Sequence, residues 1–416
     1  MGLYHVGQTC CEPLIENDLA GLGPAKESTV NLQHIRKYKF MENRIITLLS
    51  ELVQINSVNR TLSDGPGERE IAEFITQRLK TQRLDAEIQN IGHNQRNVAA
   101  IITGKERSRS LLLNAHLDTV GVDGMDAPFT LKREGDRLYG RGTYDMKGSV
   151  AIMLLLADYF TQHPPPLDIL LTFVSDEEDK STGMEYLVEK WLPQVSPPPV
   201  GGIFLEPTEE DIGVCHKGFT WYELEITGKA AHGSRPEQGI DAILPLQSAM
   251  EELGKIQAEL LRRNPDPLLG YPSIHSSIIK GGSELSVIPS QSCLQWERRT
   301  LPGESSRDLT IELERIIQAV DSHKGDHKVQ GREFFVRPPY RVPDDAEVLK
   351  RLQKATPQSR LVGLSFWADS ALAGAMDIPS VLFGPTGHGA HAVDEWVSLG
   401  SLLNVYETLK KLILDF

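Results

Sequence analysis

Residues 168–206 read DILLTFVSDEEDKSTGMEYLVEKWLPQVSPPPVGGIFLE: an apolar run, an amphipathic segment, a stiff proline connector and a second apolar run. Runs without polar alternation suit strands buried on both faces, and a helix between two of them makes a crossover. The rhythm extends upstream, where GEREIAEFITQRL reads as a helix, NVAAIIT and SLLLNA as short runs, and KGSVAIMLLLADYF as a helix. It returns from residue 328 with FFVRP, the helix DAEVLKRLQKA, IPSVLFG and a closing helix, SLGSLLNVYETLKKLIL. The expected core is therefore an α/β domain over 41–215 and 328–416, a mainly parallel sheet with helices on both faces. Between these parts the texture changes. FTWYELEIT alternates like a strand with one wet face, and DAILPLQSAMEELGKIQAELL is a long amphipathic helix, so 216–327 reads as an inserted α+β unit.

Composition narrows the function. At 416 residues the chain suits two domains, and no apolar run approaches the ~18 residues of a membrane span. A net charge of −14 excludes an electrostatic grip on nucleic acid or anionic lipid, which leaves a small molecule as the natural partner. The four cysteines, at 10, 11, 215 and 293, form no CxxC and no disulfide framework, so a cytoplasmic setting is expected and a thiolate zinc site is not. Residues 1–40 lack a secretory signal and read as a disordered, dispensable extension that includes Cys10 and Cys11. Packing is expected from Met41, where NRIITLLSELVQI traces one helical face.

Ligands of open α/β sheets gather beyond the carboxyl ends of strands. SLLLNA is followed by His116 and Asp118, LLTFVS by Asp176, Glu177 and Glu178, and GGIFL by Glu206; GTYDMKG places Asp145 before a helix, and VLFGPTGHGAH brings His391. If these ends converge, four carboxylates from Asp145, Glu177, Glu178 and Glu206 crowd one cleft with two imidazoles. They cannot all stay ionised without a counter-charge, which a pair of divalent cations supplies. Imidazole and carboxylate donors without thiolate suit two Zn²⁺, with Co²⁺ or Mn²⁺ as substitutes, and a carboxylate bridging the two is the usual arrangement. Asp118, two residues from His116, is expected to take the second ring N–H of a ligating imidazole. Of the adjacent Glu177 and Glu178, one turns to metal and the other serves as general base for water. GPTGHG lacks the lysine and following Ser or Thr of a phosphate loop.

The segments LNAHLDTV, GRGTYDMKGSVA, VSDEE, IFLEPT, GKAAHGSRPEQGIDAI, LSVIPSQSCLQWERRTLPGE and GPTGHGAHAVDEWV follow one another over about 45–416. In that order they resemble the motifs of the acetylornithine deacetylase, succinyl-diaminopimelate desuccinylase, aminoacylase and glutamate carboxypeptidase family of dinuclear zinc hydrolases. The resemblance implies His116 and Glu206 on one metal, Glu178 and His391 on the other, and Asp145 as the bridge, with Glu177 as base. It also implies a homodimer formed through the inserted unit, His232 of AHGS as donor to the developing oxyanion, and Arg299 as grip on a substrate carboxylate. Gly384 falls in the family's substrate-facing loop, and Ser286 stands where many members carry Asn. The implied reaction is hydrolysis of the amide bond of an N-acyl amino acid by metal-bound hydroxide, with a dipeptidase or carboxypeptidase as the alternative and an inert metal-binding scaffold as a remote one. Asp369 matches a family position beside a bulky Trp367, whereas His388 and His216 read as loop and structural residues.

Overall fold

The structure, a computed structural model, describes residues 24–92, 94–323 and 325–416. The reading of residues 1–23, with Cys10 and Cys11, lies outside the described residues. The first helix, α1 (Pro24–Gln54), starts well before Met41, so the segment ahead of that methionine is helical from Pro24 onward. Burial within the helix follows the apolar pattern from Ile45 onward. Tyr38 and Phe40 are exposed, and Ile45, Leu48, Leu49, Leu52 and Val53 are buried at the spacing of one helical face.

The principal elements that follow are α2 (Arg69–Thr81), β1 (Ala86–Gly92), β2 (Gln95–Ile102), β3 (Glu106–His116), α3 (Gly148–Phe160), β4 (Leu167–Val174), β5 (Pro199–Phe204) and β6 (Ile212–His216). Next come β7 (Gly218–Thr227), α4 (Leu246–Leu260), β8 (Ser273–Gly281), β9 (Gln291–Thr300), α5 (Ser306–Asp321) and β10 (Lys328–Arg337). The chain closes with β11 (Tyr340–Arg341), α6 (Glu347–Ala355), β12 (Leu361–Leu364), β13 (Ser380–Leu382) and α7 (Leu399–Leu414).

The main sheet has nine strands in the order β1-β2-β4-β3-β5-β13-β6-β11, with β12 also paired to β6. Its centre is parallel, as expected: β4, β3, β5 and β13 all run the same way. One flank is antiparallel, β1 and β2 forming a hairpin and β2 pairing antiparallel with β4, and on the other β6 runs antiparallel to β13 and β11 but parallel to β12. Alternate residues of the central strands enter different cores. Leu111, Leu113 and Ala115 of β3 and Ile169, Leu171 and Phe173 of β4 join the cluster with α1, α3 and α7. Leu112, Leu170 and Val174 pack on the opposite face with Met184, Phe204 and Ala373. That two-sided burial is what the uninterrupted apolar runs encode, and each such leucine contributes roughly 1.5–3 kcal/mol. No helix among the described residues is long and apolar enough to cross a membrane.

Between β6 and β11 the chain builds a second, antiparallel sheet in the order β8-β9-β7-β10. Tyr222, Leu224 and Ile226 of β7 point inward at period two, with Leu294 and Trp296 of β9, against Leu253 and Ile256 of α4 and Ile316 and Val320 of α5. The second sheet runs further than the sequence pattern indicates. Residues 328–337, assigned above to the first domain, pair with β7 out to Arg337 opposite Phe219. A short apolar run does not announce which sheet it joins. Gly218 marks the crossing between units: a Cβ there would lie 2.3 Å from Pro339 N and 2.5 Å from the Arg337 carbonyl oxygen, so only glycine lets the connections pass.

Candidate metal centre

The parallel order β4-β3-β5 sets three carboxyl ends side by side. His116 is the last residue of β3, β4 runs out through Ser175 and Asp176 to Glu177 and Glu178, and β5 leads through Leu205 to Glu206. Asp145 sits in the irregular turn Thr143–Lys147 before α3. His391 comes from the loop between two short strands, Gly387–His388 and Trp396–Ser398, that pair antiparallel.

These side chains converge into two overlapping sets. Donor atoms of His116, Asp145 and Glu206 lie within 4.8 Å of one another, and so do those of Asp145, Glu178 and His391, so Asp145 belongs to both. Its Oδ1 is 3.0 Å from His116 Nε2 and its Oδ2 is 3.6 Å from His391 Nε2, while Glu178 Oε2 is 2.8 Å from the same His391 nitrogen. Among the described residues, Glu178 Oε1 is buried without a hydrogen-bond partner. Burial, followed by the charge of neighbouring carboxylates such as Asp145, pushes Glu178 up to about 7 and Glu206 up to about 8. Hydrogen bonds to Asp145 and Glu178 raise His391 to about 10. Orphaned carboxylate oxygen, excess negative charge and imidazole–carboxylate donors in two adjoining sets fit a pair of divalent cations.

Glu177 lies in neither set. Burial first, and the charge of Glu206 among its acidic neighbours, hold its carboxyl well above the usual range. Asp118 is fully buried, but its connections differ in part from the expectation. The His116 Nδ1 is 3.0 Å from the backbone carbonyl of Asp118 and 3.6 Å from the carboxylate. That carboxylate instead accepts from the backbone N–H of Glu177 and of Glu178, each at 3.1 Å, and from Asn59 Nδ2 at 2.8 Å. Asp118 therefore fixes the strand end that carries both glutamates as much as it orients the imidazole.

The residues expected to contact substrate do not all gather here. His232 is exposed on the second unit, in a two-residue pairing with Val287, and its Nδ1 is 2.8 Å from Ser234 Oγ. Ser286 is its neighbour, with the Ser286 carbonyl accepting from Gly233 N. Arg299 donates to Glu297 at 2.7 Å and stacks over Phe219. Gly384 is buried, and a Cβ there would fall 2.1 Å from the Glu206 carbonyl oxygen, a packing reason for glycine at this position. Asp369 is buried, and His116, Asp118 and Arg337 shape its charge environment. Trp367 is buried in an aromatic cluster with Phe219. His216 is buried with its Nε2 on Ser370 Oγ, and His388 is exposed.

Three groups escaped the sequence pattern. Asn59 ties Asp118 to Asp176 and caps the short helix Arg60–Ser63. Arg141 and Glu395 form a buried pair at 2.7 Å beside Asp145. In the sequence, Glu395 of HAVDEWV looks like any loop acid, and only its four-residue distance from His391 hints otherwise.

Comparison with known proteins follows the same lines. The chain is 25% identical over 383 residues to the acetylornithine deacetylase of Buchnera aphidicola subsp. Schizaphis graminum, covering 90% of this chain and 97% of that protein. It is 26% identical to the probable succinyl-diaminopimelate desuccinylase of Staphylococcus aureus strain MRSA252, covering 91% and 98%. Among solved structures, a tripeptidase from Staphylococcus aureus superposes with a TM-score of 0.72 at 18% identity, over 90% of this chain and 98% of that one. Residues 112–415 match peptidase family M20/M25/M40, and with the convergence of carboxylates and imidazoles at the ends of β3, β4 and β5 they establish that the chain belongs to this family of metal-dependent amide hydrolases.

Proposed function

We propose that the chain removes the acyl group from an N-acyl amino acid by hydrolysing its amide bond, in the manner of acetylornithine deacetylase or succinyl-diaminopimelate desuccinylase. The observation that carries this reading is the pair of donor sets sharing Asp145, with Glu177 beside them and in neither. His116 and Glu206 would hold one ion, Glu178 and His391 the other, and Asp145 both; Zn²⁺ suits these donors best, with Co²⁺ or Mn²⁺ as substitutes. When bound, the ions would polarise the amide carbonyl and acidify water. Glu177, a carboxylate in neither donor set, takes the proton from water and hands it to the leaving amine. Asp118 holds Glu177 and Glu178 by their backbone N–H groups so that the two carboxylates diverge.

The second unit supplies the remaining parts in this reading. Strand β8 is an edge strand whose Ile278 and Ile279 are 45% and 57% exposed, the kind of surface a second copy covers in a homodimer. His232, exposed on the same unit, would donate to the developing oxyanion across that dimer, with Ser286 beside it and Arg299 receiving a substrate carboxylate. The setting is cytoplasmic. A deacylase is preferred over a peptidase because the two deacylating relatives are 25% and 26% identical over nine-tenths of the chain, whereas the likeness to the tripeptidase, at 18% identity, is one of fold.

The test is a panel of N-acetylornithine, succinyl-diaminopimelate, other N-acyl amino acids, dipeptides and tripeptides, assayed with added Zn²⁺, Co²⁺ or Mn²⁺. Turnover of the acyl amino acids with little or none on peptides supports the reading. Turnover confined to peptides replaces it with the peptidase alternative.

A further inference from the structure

We propose that Glu395 is a positioning residue that clamps the turn carrying Asp145, so that a single carboxylate can serve both metal sites. The inference rests on the metal-centre reading above and concerns a residue that belongs to neither donor set.

The turn cannot satisfy its own backbone. Gly142 is left-handed (φ 79), and Asp145 (φ −122, ψ 91) and Met146 (φ −137, ψ 39) depart from helical geometry before α3 begins at Gly148. Buried N–H groups in such a stretch have no ladder to join and need acceptors from elsewhere. Glu395 supplies them. Its Oε1 accepts from Tyr144 N at 2.9 Å and Asp145 N at 3.1 Å; its Oε2 accepts from Gly142 N at 2.9 Å and from Arg141 Nη1 at 2.7 Å. The side chain has no solvent exposure.

All four partners donate, so the position calls for an acceptor-only group. A glutamine of the same shape would turn its NH₂ toward two of those donors, whichever way it lay. Glu395 also sits in the same hairpin as His391, four residues further on, and its backbone packs against Gly389 (φ 79), where a Cβ would lie 3.1 Å from the Glu395 Cα. One hairpin thus delivers a donor of the second set and the clamp on the donor common to both, which couples their spacing. A carboxylate that only cemented the fold would affect the metal-free protein and leave ion affinity alone.

Metal binding is measured by competition between the full-length protein and a chromophoric chelator, using Co²⁺ for its absorption spectrum and Zn²⁺ for affinity. The wild-type chain is expected to take two ions. Glu395→Gln is expected to keep its circular dichroism, to bind both ions at least ~10-fold more weakly and to show a changed Co²⁺ spectrum, since altering a group that orients metal ligands costs about 10- to 100-fold. Glu395→Gln with wild-type affinity for both ions overturns the proposal. Should Glu395→Gln fail to fold, Glu395→Asp carries the test: it keeps an acceptor-only carboxylate but shortens its reach by one methylene, so it cannot hold Gly142, Tyr144 and Asp145 N–H together, and unchanged affinity there overturns the proposal equally. A wild-type chain that binds no ion defeats the metal-centre reading instead, and the two failures are told apart by that control.

Discussion

Replacing Asp118 by Asn changes one atom in a carboxylate that solvent does not reach. Its Oδ1 accepts from Glu177 N at 3.1 Å and lies 3.6 Å from His116 Nδ1; its Oδ2 accepts from Glu178 N at 3.1 Å and Asn59 Nδ2 at 2.8 Å. Every neighbour is a donor, so the new NH₂ must face one. If it takes the place of Oδ1, the Glu177 contact becomes repulsive; if it takes the place of Oδ2, the Glu178 and Asn59 contacts do. A hydrogen bond to a charged acceptor is worth about 1.5–3 kcal/mol, so losing one or two with partial relaxation costs about 2–4 kcal/mol. Part of that cost falls on folding and part on the site, where it loosens the strand end holding both glutamates. The expected result is a 10- to 100-fold weaker affinity for metal and a fall in kcat that survives saturating metal, because Glu177 stays misplaced when the ions are restored. Chelator competition gives the affinity, and initial rates on the best substrate of the panel, with metal in excess, give kcat. An Asp118→Asn variant with wild-type affinity and kcat within about twofold would refute the role assigned to this carboxylate.

Other perturbations separate the remaining roles. Glu177→Gln should bind metal as the wild type does and lose about 10²- to 10⁴-fold in kcat, and near-normal turnover would remove Glu177 from the proton transfer. His391→Ala should bind one ion tightly where the wild type binds two, by metal analysis after dialysis; two retained ions would place the second site elsewhere. His216 is held at about 4 by burial, so the unfolded chain takes up a proton below pH ~6.5 that the folded chain refuses until pH ~4. Stability contributed by the neutral ring is therefore full above pH ~6.5 and lost as pH falls, by about 2 kcal/mol between pH 7.5 and 5. Denaturant midpoints should show that His216→Gln loses less stability than the wild type over this range, and parallel pH profiles would contradict the assignment.

The central sheet and the donor sets were legible because one physical rule wrote both. Strands buried on two faces must be apolar throughout, so the polar residues that follow LLLNA, LLTFV and GGIFL stand out against them. Strand direction was less legible: NVAAIIT looks like its parallel neighbours, and only the short connection from Ile102 to Glu106, which reverses the chain between β2 and β3, sets it against them. The extent of β10 was hidden for a similar reason, since FFV fits either sheet. Glu395 was hidden because three of its four partners are backbone N–H groups, which carry no residue signature, and Asn59 because the carboxylates it ties, Asp118 and Asp176, lie far from it along the chain. Adjacent Glu177 and Glu178 were separable into two roles by geometry alone, but which glutamate took which role required the family resemblance.

The order of the donors along the chain has a consequence for synthesis. His116, Asp145, Glu178 and Glu206 emerge from the ribosome first, then the whole second unit, and only afterwards the hairpin with His391 and Glu395. Until that hairpin is threaded back beside the turn at Asp145, a nascent chain exposes a cluster of acids with no clamp and one donor missing. The donors of the first set are thus complete once Glu206 is made, whereas the second set waits for His391, and a chain that lacks the hairpin can bring together only the first half of the centre.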